Sequence, residues 1–160
     1  MKNIMEIGPG FMPAKDFIAN QKPSNVIFVD ERKPQFEVGK LFPNAKYCEG
    51  SFFYLFSSGV LELPSQSLDI VIAANVFAAP AKEQIARKLP VFLQIMRDCI
   101  KRGGKLIVEE NYDAANIAIA DYLSTAIANY GFKPVIYTDK SYFVHKATYV
   151  KGAYSLYATR

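Results

Sequence analysis

Ile4-Met5-Glu6-Ile7-Gly8-Pro9-Gly10 reads as a short apolar strand that runs into a tight turn. An acid, Glu6, precedes a turn bearing two glycines. Glycines there let a ligand approach the backbone closely, and the helix that follows such a turn starts with unpaired N–H groups. At the carboxyl edge of a parallel sheet, this is where open α/β folds bind ligands. The next apolar run, Asn25-Val26-Ile27-Phe28-Val29, ends at Asp30. It follows the turn by about twenty residues, where an acid accepts two hydrogen bonds from a ribose diol.

Outward from this pair, short apolar runs alternate with longer amphipathic ones, the pattern of an α/β domain. Residues 45–48 form a third strand, residues 68–74 a fourth, and residues 105–108 a fifth that follows Gly103-Gly104. Continuous apolar runs of this kind suit parallel strands covered by helices on both faces. Ile85, Leu89, Phe92, Met96 and Cys99 make one helical stripe. Pro90 inside it is expected to kink or split the helix, with Lys101 and Arg102 at its carbonyl end and Gly103 as its stop. Ile119, Tyr122, Leu123, Ala126, Ile127 and Tyr130 make a second stripe, ended by Gly131. Residues 13–20 and 37–42 are shorter helices. The tail is read as an antiparallel pair of strands, residues 133–138 and 153–159, because a parallel link needs a helical crossover.

A chain of 160 residues makes one domain with a core large enough to need neither disulfides nor a metal. Its composition excludes disorder, collagen and coiled coil. A net charge of +4 permits a polyanionic partner without arguing for one. Cys48 and Cys99 are far apart, with no C-x-x-C, and read as two buried thiols in a reducing compartment. No metal ligands are assigned. The first residues lack a signal peptide's apolar run, and the most apolar stretch, residues 70–79, is too short to cross ~30 Å of hydrocarbon. The expected location is the cytoplasm, with no membrane partner.

Taken together, the glycine turn and the strand-end acid favour an adenosine-containing cofactor. A dinucleotide fingerprint needs a third glycine where Pro13 stands. Glu6 would repel a pyrophosphate but suits a cation. S-adenosylmethionine, which carries a sulfonium and an ammonium, fits the acid better. The sequence here resembles the class I S-adenosylmethionine-dependent methyltransferases, over nearly its whole length and in order. Met5-Glu6-Ile7-Gly8-Pro9-Gly10 resembles their first motif and Val26-Ile27-Phe28-Val29-Asp30 their second. Residues 67–77 resemble the fourth-strand motif, residues 99–110 the approach to the fifth strand, and residues 129–133 the step before the terminal hairpin.

The resemblance implies a Rossmann-like three-layer sandwich with a seven-stranded, mostly parallel sheet of order 3-2-1-4-5-7-6 and an antiparallel C-terminal strand. It places Glu6 and the backbone of Gly8, Pro9 and Gly10 at the methionine end of the cofactor. Asp30 binds the ribose, Glu31 lies beside the adenine, Ser51 and Phe52 frame it, and Asn75 stands near the methyl group. The chain opens on the first strand, so the expectation is a single domain, 1–160, without N-terminal lid helices; a second copy or a partner chain would supply the lid. Three positions depart from the family pattern: Met12 replaces the third glycine, Ser51 an acid, and Glu31 an apolar residue.

The methyl acceptor is not legible, and no catalytic base is assigned. His145, the only histidine, reads as a surface or structural residue. Glu109, Glu110, Asn111 and Tyr112 either line a substrate pocket or, for the two acids, cap a helix or face solvent. Asn75-Val76-Phe77 lacks the prolines of nucleobase amino-group methylases. Tyr137, Tyr142, Phe143, Tyr149, Tyr154 and Tyr157, interleaved with Lys140, Lys146, Lys151 and Arg160, would suit nucleic acid, but strand-forming tyrosines account for them more simply. Two other readings remain at this point. One is a catalytically silent module that binds the cofactor or a partner on a methyltransferase fold; the other is an NAD(P)-dependent oxidoreductase.

Overall fold

The computed structural model describes residues 2–10, 14–74, 82–111, 119–140 and 144–152. Seven strands form one sheet of order β3-β2-β1-β4-β5-β7-β6. They are β1 Lys2–Ile7, β2 Pro23–Asp30, β3 Ala45–Glu49, β4 Leu68–Ala74, β5 Ile100–Asn111, β6 Phe132–Lys140 and β7 Val144–Lys151. The first five are parallel, and β7 is antiparallel to both β5 and β6. The expected architecture and strand order are those observed.

Alternation of side chains across each strand divides the core into two layers. Ile4, Val26, Phe28, Ile70 and Ile72 meet Ile18 of α1 (Lys15–Asn20), with Val38 of α2 (Val38–Leu41) beside them. Met5, Ile7, Val29, Val71, Ala73, Leu106 and Val108 face the other way. They meet α3 (Phe52–Ser57), α4 (Lys82–Cys99) and α5 (Ile119–Asn129) through Phe52, Leu55, Leu89, Phe92, Met96, Leu123 and Ile127. Cys48 and Cys99 are free and buried, as expected.

Several boundaries move. Helix α4 is continuous through Pro90, which lies on its exposed side, so the expected split is absent. It also stops at Cys99 rather than Gly103, because Lys101 and Arg102 already belong to β5. The glycine pair bends β5 instead of preceding it: Gly103 takes φ +76°, and the register with β4 shifts between Leu68 and Ile70. The tail hairpin is formed, but its second strand is Val144–Lys151; the expected strand over residues 153–159 lies outside the described residues. Helix α3 was not foreseen.

Candidate functional site

Strands β1 and β2 are in register with Glu6 opposite Phe28 and Ile7 opposite Val29. Glu6 and Asp30 therefore point to the face that carries α1. The ladder continues one step into the turn, where the Gly8 N–H donates to the Val29 carbonyl at 2.7 Å. Gly8 has φ +76°, and a Cβ on it would stand 2.3 Å from the Ala74 carbonyl oxygen. Only glycine lets the turn cross the end of β4 this closely. Pro9 is buried between the two glycines.

Asp30, 8% exposed, ties the turn to β2. Its Oδ2 accepts the Gly10 N–H at 3.0 Å, and its Oδ1 accepts the Arg32 N–H at 3.1 Å. The Arg32 Nε lies 3.6 Å from the same Oδ1. The Asp30 carbonyl accepts the Gly50 N–H at 2.7 Å, which brings in the loop after β3. Tyr47 on β3 donates its hydroxyl to the Arg32 carbonyl at 2.7 Å. Burial, then the negative charges of Asp30 and Glu49, push the Tyr47 phenol up to about 12 against the opposing pull of Arg32, so it remains a donor.

Glu6 is 3% exposed. Its two carboxylate oxygens share the Ala14 N–H at 3.1 and 3.2 Å, which anchors the segment returning to α1. Loss of water pushes its carboxyl up to about 7; the Ala14 N–H opposes the rise and the charge of Glu109 adds to it. Glu109 and Glu110 lie within β5, Glu109 opposite Ala74 and Glu110 buried at 3% exposure. Neither caps a helix, and Glu110 is not in solvent.

Of the predicted site residues, Glu6, Gly8, Pro9, Gly10 and Asp30 come together at one carboxyl edge. Glu31 follows as an exposed residue of the bend after β2. Ser51 is the residue before α3 and makes no side-chain cap. Phe52 opens α3 with its ring in the core, against Phe53, Phe56 and Phe92. Asn75, Met12 and Tyr112 lie outside the described residues. His145 sits in β7 opposite Glu110. Sequence reasoning missed Arg32, Tyr47 and Gly50. The signal for the first was the run of charges Asp30-Glu31-Arg32-Lys33 directly after a strand.

Chemically, this edge offers carboxylates from β1, β2, β3 and β5, namely Glu6, Asp30, Glu49 and Glu109. Such a grouping attracts cations and repels phosphate. Among the described residues no group of three or more His, Cys, Asp or Glu has metal-binding geometry, and no helix is long and apolar enough to cross a membrane.

No family model matches the sequence, and no curated protein matches it. Solved structures do. The N-methyltransferase NodS from Bradyrhizobium japonicum WM9 superposes with a TM-score of 0.66 at 14% identity, over 94% of this chain and 86% of that one. A Burkholderia thailandensis 1,6-didemethyltoxoflavin-N1-methyltransferase, solved with S-adenosylhomocysteine, gives 0.65 at 11% identity over 94% and 71%. The CurJ carbon methyltransferase gives 0.59 at 16% identity over 95% of this chain, which spans only 49% of that one. At these identities the likeness is one of architecture, and the chain has the fold of the class I S-adenosylmethionine-dependent methyltransferases.

Proposed function

We propose that the chain binds S-adenosylmethionine at the carboxyl edge of β1 and β2 and transfers its methyl group to an acceptor. The observation that carries this reading is the 3.0 Å bond from the Gly10 N–H to Asp30, which joins the glycine turn to the strand-end acid. The residues fit the group: a buried carboxylate beside the turn suits a sulfonium and an ammonium, and an acid at the end of β2 suits a diol. Asp30 holds the ribose hydroxyls in this reading, and Glu6 with the backbone of Gly8 to Gly10 faces the methionine end. Glu31, Ser51 and the Phe52 backbone surround the adenine, and Asn75 stands near the methyl group. Bound there, the cofactor supplies a sulfonium methyl for in-line displacement, and the chain's own task is to hold two reactants in line. Residues 1–160 act as one domain in this reading.

The test is calorimetric titration with S-adenosylmethionine and S-adenosylhomocysteine. Both are expected to bind the wild type, and Asp30→Ala is expected to lose about 5- to 150-fold, the scale of ~1–3 kcal/mol for an acceptor removed from buried donors. No heat at millimolar ligand defeats the reading. Radiolabelled methyl transfer into metabolite, RNA and protein pools then separates an enzyme from a module that binds without transferring.

A further inference from the structure

We propose that His145 and Glu110, which face each other across β7 and β5 at the carboxyl edge, are the general base that takes the acceptor's proton and the residue that positions it. The proposal rests on the cofactor reading above and adds a substrate class to it: an acceptor whose nucleophilic atom still carries a proton. Glu110 pairs with His145 in the antiparallel ladder of β5 and β7. Directly opposed residues of such a ladder share a face, with Cβ atoms ~4.5–5.5 Å apart. That face is the inner one, since Val108 and Glu110 on β5 and Ala147 and Tyr149 on β7 are all buried. A carboxyl as deep as that of Glu110 either keeps its proton or needs a cation beside it. A histidine at the opposed position allows both states, with one proton held between the two residues.

The pair stands level with the glycine turn. Ala74, whose carbonyl oxygen Gly8 approaches so closely, is opposite Glu109, so Glu110 and His145 lie one residue further toward the carboxyl edge. Strands β1, β4, β5 and β7 are successive neighbours. Three strand spacings, ~14 Å, therefore separate the backbone of the turn from that of His145. That span leaves room for an acceptor between a methionine end held at Glu6 and a base on β7. The step balances. A lone pair on the acceptor forms the bond to the methyl carbon, the C–S bond breaks and leaves its electron pair on sulfur, and the acceptor's proton passes to the imidazole. The positive charge thus moves from sulfonium to imidazolium, which a neighbouring carboxylate favours. The charged and titratable residues on the flanking elements are Glu110 on β5, Lys140 opposite His145 on β6, and Asp121 and Tyr122 in the first turn of α5. Glu110 is drawn out of water, where a charge acts most strongly, and so decides the sign.

The experiment follows the imidazole Cε1–H resonance by NMR, which is unambiguous because the chain has one histidine. Its pH titration is recorded for the wild type and Glu110→Gln, alone and saturated with S-adenosylmethionine or S-adenosylhomocysteine. The imidazole pKa is expected to fall by about one to two units in Glu110→Gln. In the wild type, S-adenosylmethionine should lower it by roughly 0.3–1 unit relative to S-adenosylhomocysteine, the repulsion of a sulfonium and an imidazolium ~10 Å apart. That comparison needs only the wild type, so it stands even where Glu110→Gln does not fold. A pKa that is unchanged or higher in folded Glu110→Gln removes the pair and overturns the proposal. Equal values with the two ligands, both bound, leave the cofactor reading in place and make the pair structural, which also overturns the proposal. If neither ligand binds, the cofactor reading fails and the base with it. Radiolabelled methyl transfer should drop by about 100-fold or more in His145→Asn, with S-adenosylhomocysteine affinity unchanged; transfer at the wild-type rate overturns the base.

Discussion

Glu6 is where stability and ligand chemistry pull apart. Its carboxyl is raised from 4.5 to about 7, first by burial. The folded state therefore holds this proton more tightly than the unfolded state does. Stability contributed by the protonated form is present below the unfolded value and falls as pH rises from about 4.5 to about 7. By pH 8 the loss is complete, on the order of 2–4 kcal/mol. Glu6→Gln keeps an oxygen for the Ala14 N–H and removes the charge. The variant is expected to match the wild type near pH 5 and to exceed it by a few kcal/mol, on the order of 2–4, at pH 8 in urea unfolding. A difference that does not change between the two pH values would show that Glu6 is not desolvated as its surroundings require. A protein that tolerates such a charge has a use for it, and a cationic ligand beside Glu6 would stabilise the ionised form and restore what burial costs.

At the scale of elements, the end of α4 shows how one side chain can finish a helix. Lys151 on β7 reaches under it, and its Nζ donates to the Ile100 carbonyl at 2.6 Å and to that of Arg97. Arg97 lies in the last turn of α4, where a helix end leaves carbonyls without partners, and Ile100 is the first residue of β5; a cation there also meets the negative end of the helix dipole. Burial lowers the Lys151 pKa, against the opposing pull of Cys99 and Asp98. Lys151→Met keeps the stem and deletes the donor, so a loss of about 2–4 kcal/mol in chemical denaturation is expected. A loss below about 0.5 kcal/mol would mean water takes over the carbonyls. This contact was invisible in the sequence, where Lys151 looked like one of several cations between tyrosines. The strands β1, β2 and β4 were legible because each holds a mostly apolar run buried on both faces. Strand β7 was not, since among its described side chains Ala147, Tyr149 and Lys151 turn inward and the alternate residues dilute the pattern. Phe52-Phe53-Tyr54-Leu55-Phe56-Ser57 carries strand-like aromatics and is too short for a helical stripe, which hid α3. The convergence of the glycine turn and Asp30 at one edge could be read from spacing alone. The position of Arg32 could not, because it depends on how the chain bends after β2.

For the whole molecule, the sheet is the shared wall of two cores. Ile4 and Met5 are neighbours in sequence, both fully buried, and belong to opposite layers. Neither layer can be lost without exposing the other, so unfolding should be a single cooperative transition. The candidate site stands on that wall, with Gly8 bonded to β2 and packed against the end of β4, and Gly50 drawing in β3. A ligand held there braces the four adjacent strands β3, β2, β1 and β4, and its binding energy should appear in the stability of the entire fold. At a hundredfold excess over its dissociation constant a ligand adds ~2.7 kcal/mol. For a chain of 160 residues, each kcal/mol moves Tm by about 2–4 °C. S-adenosylhomocysteine at that concentration should raise a single melting transition by roughly 5–11 °C, and Asp30→Ala at the same concentration should lose about a third to nine-tenths of the shift. Two separate transitions, with the ligand moving only one, would mean that the layers unfold independently and that the glycine turn is not coupled to the core beneath it.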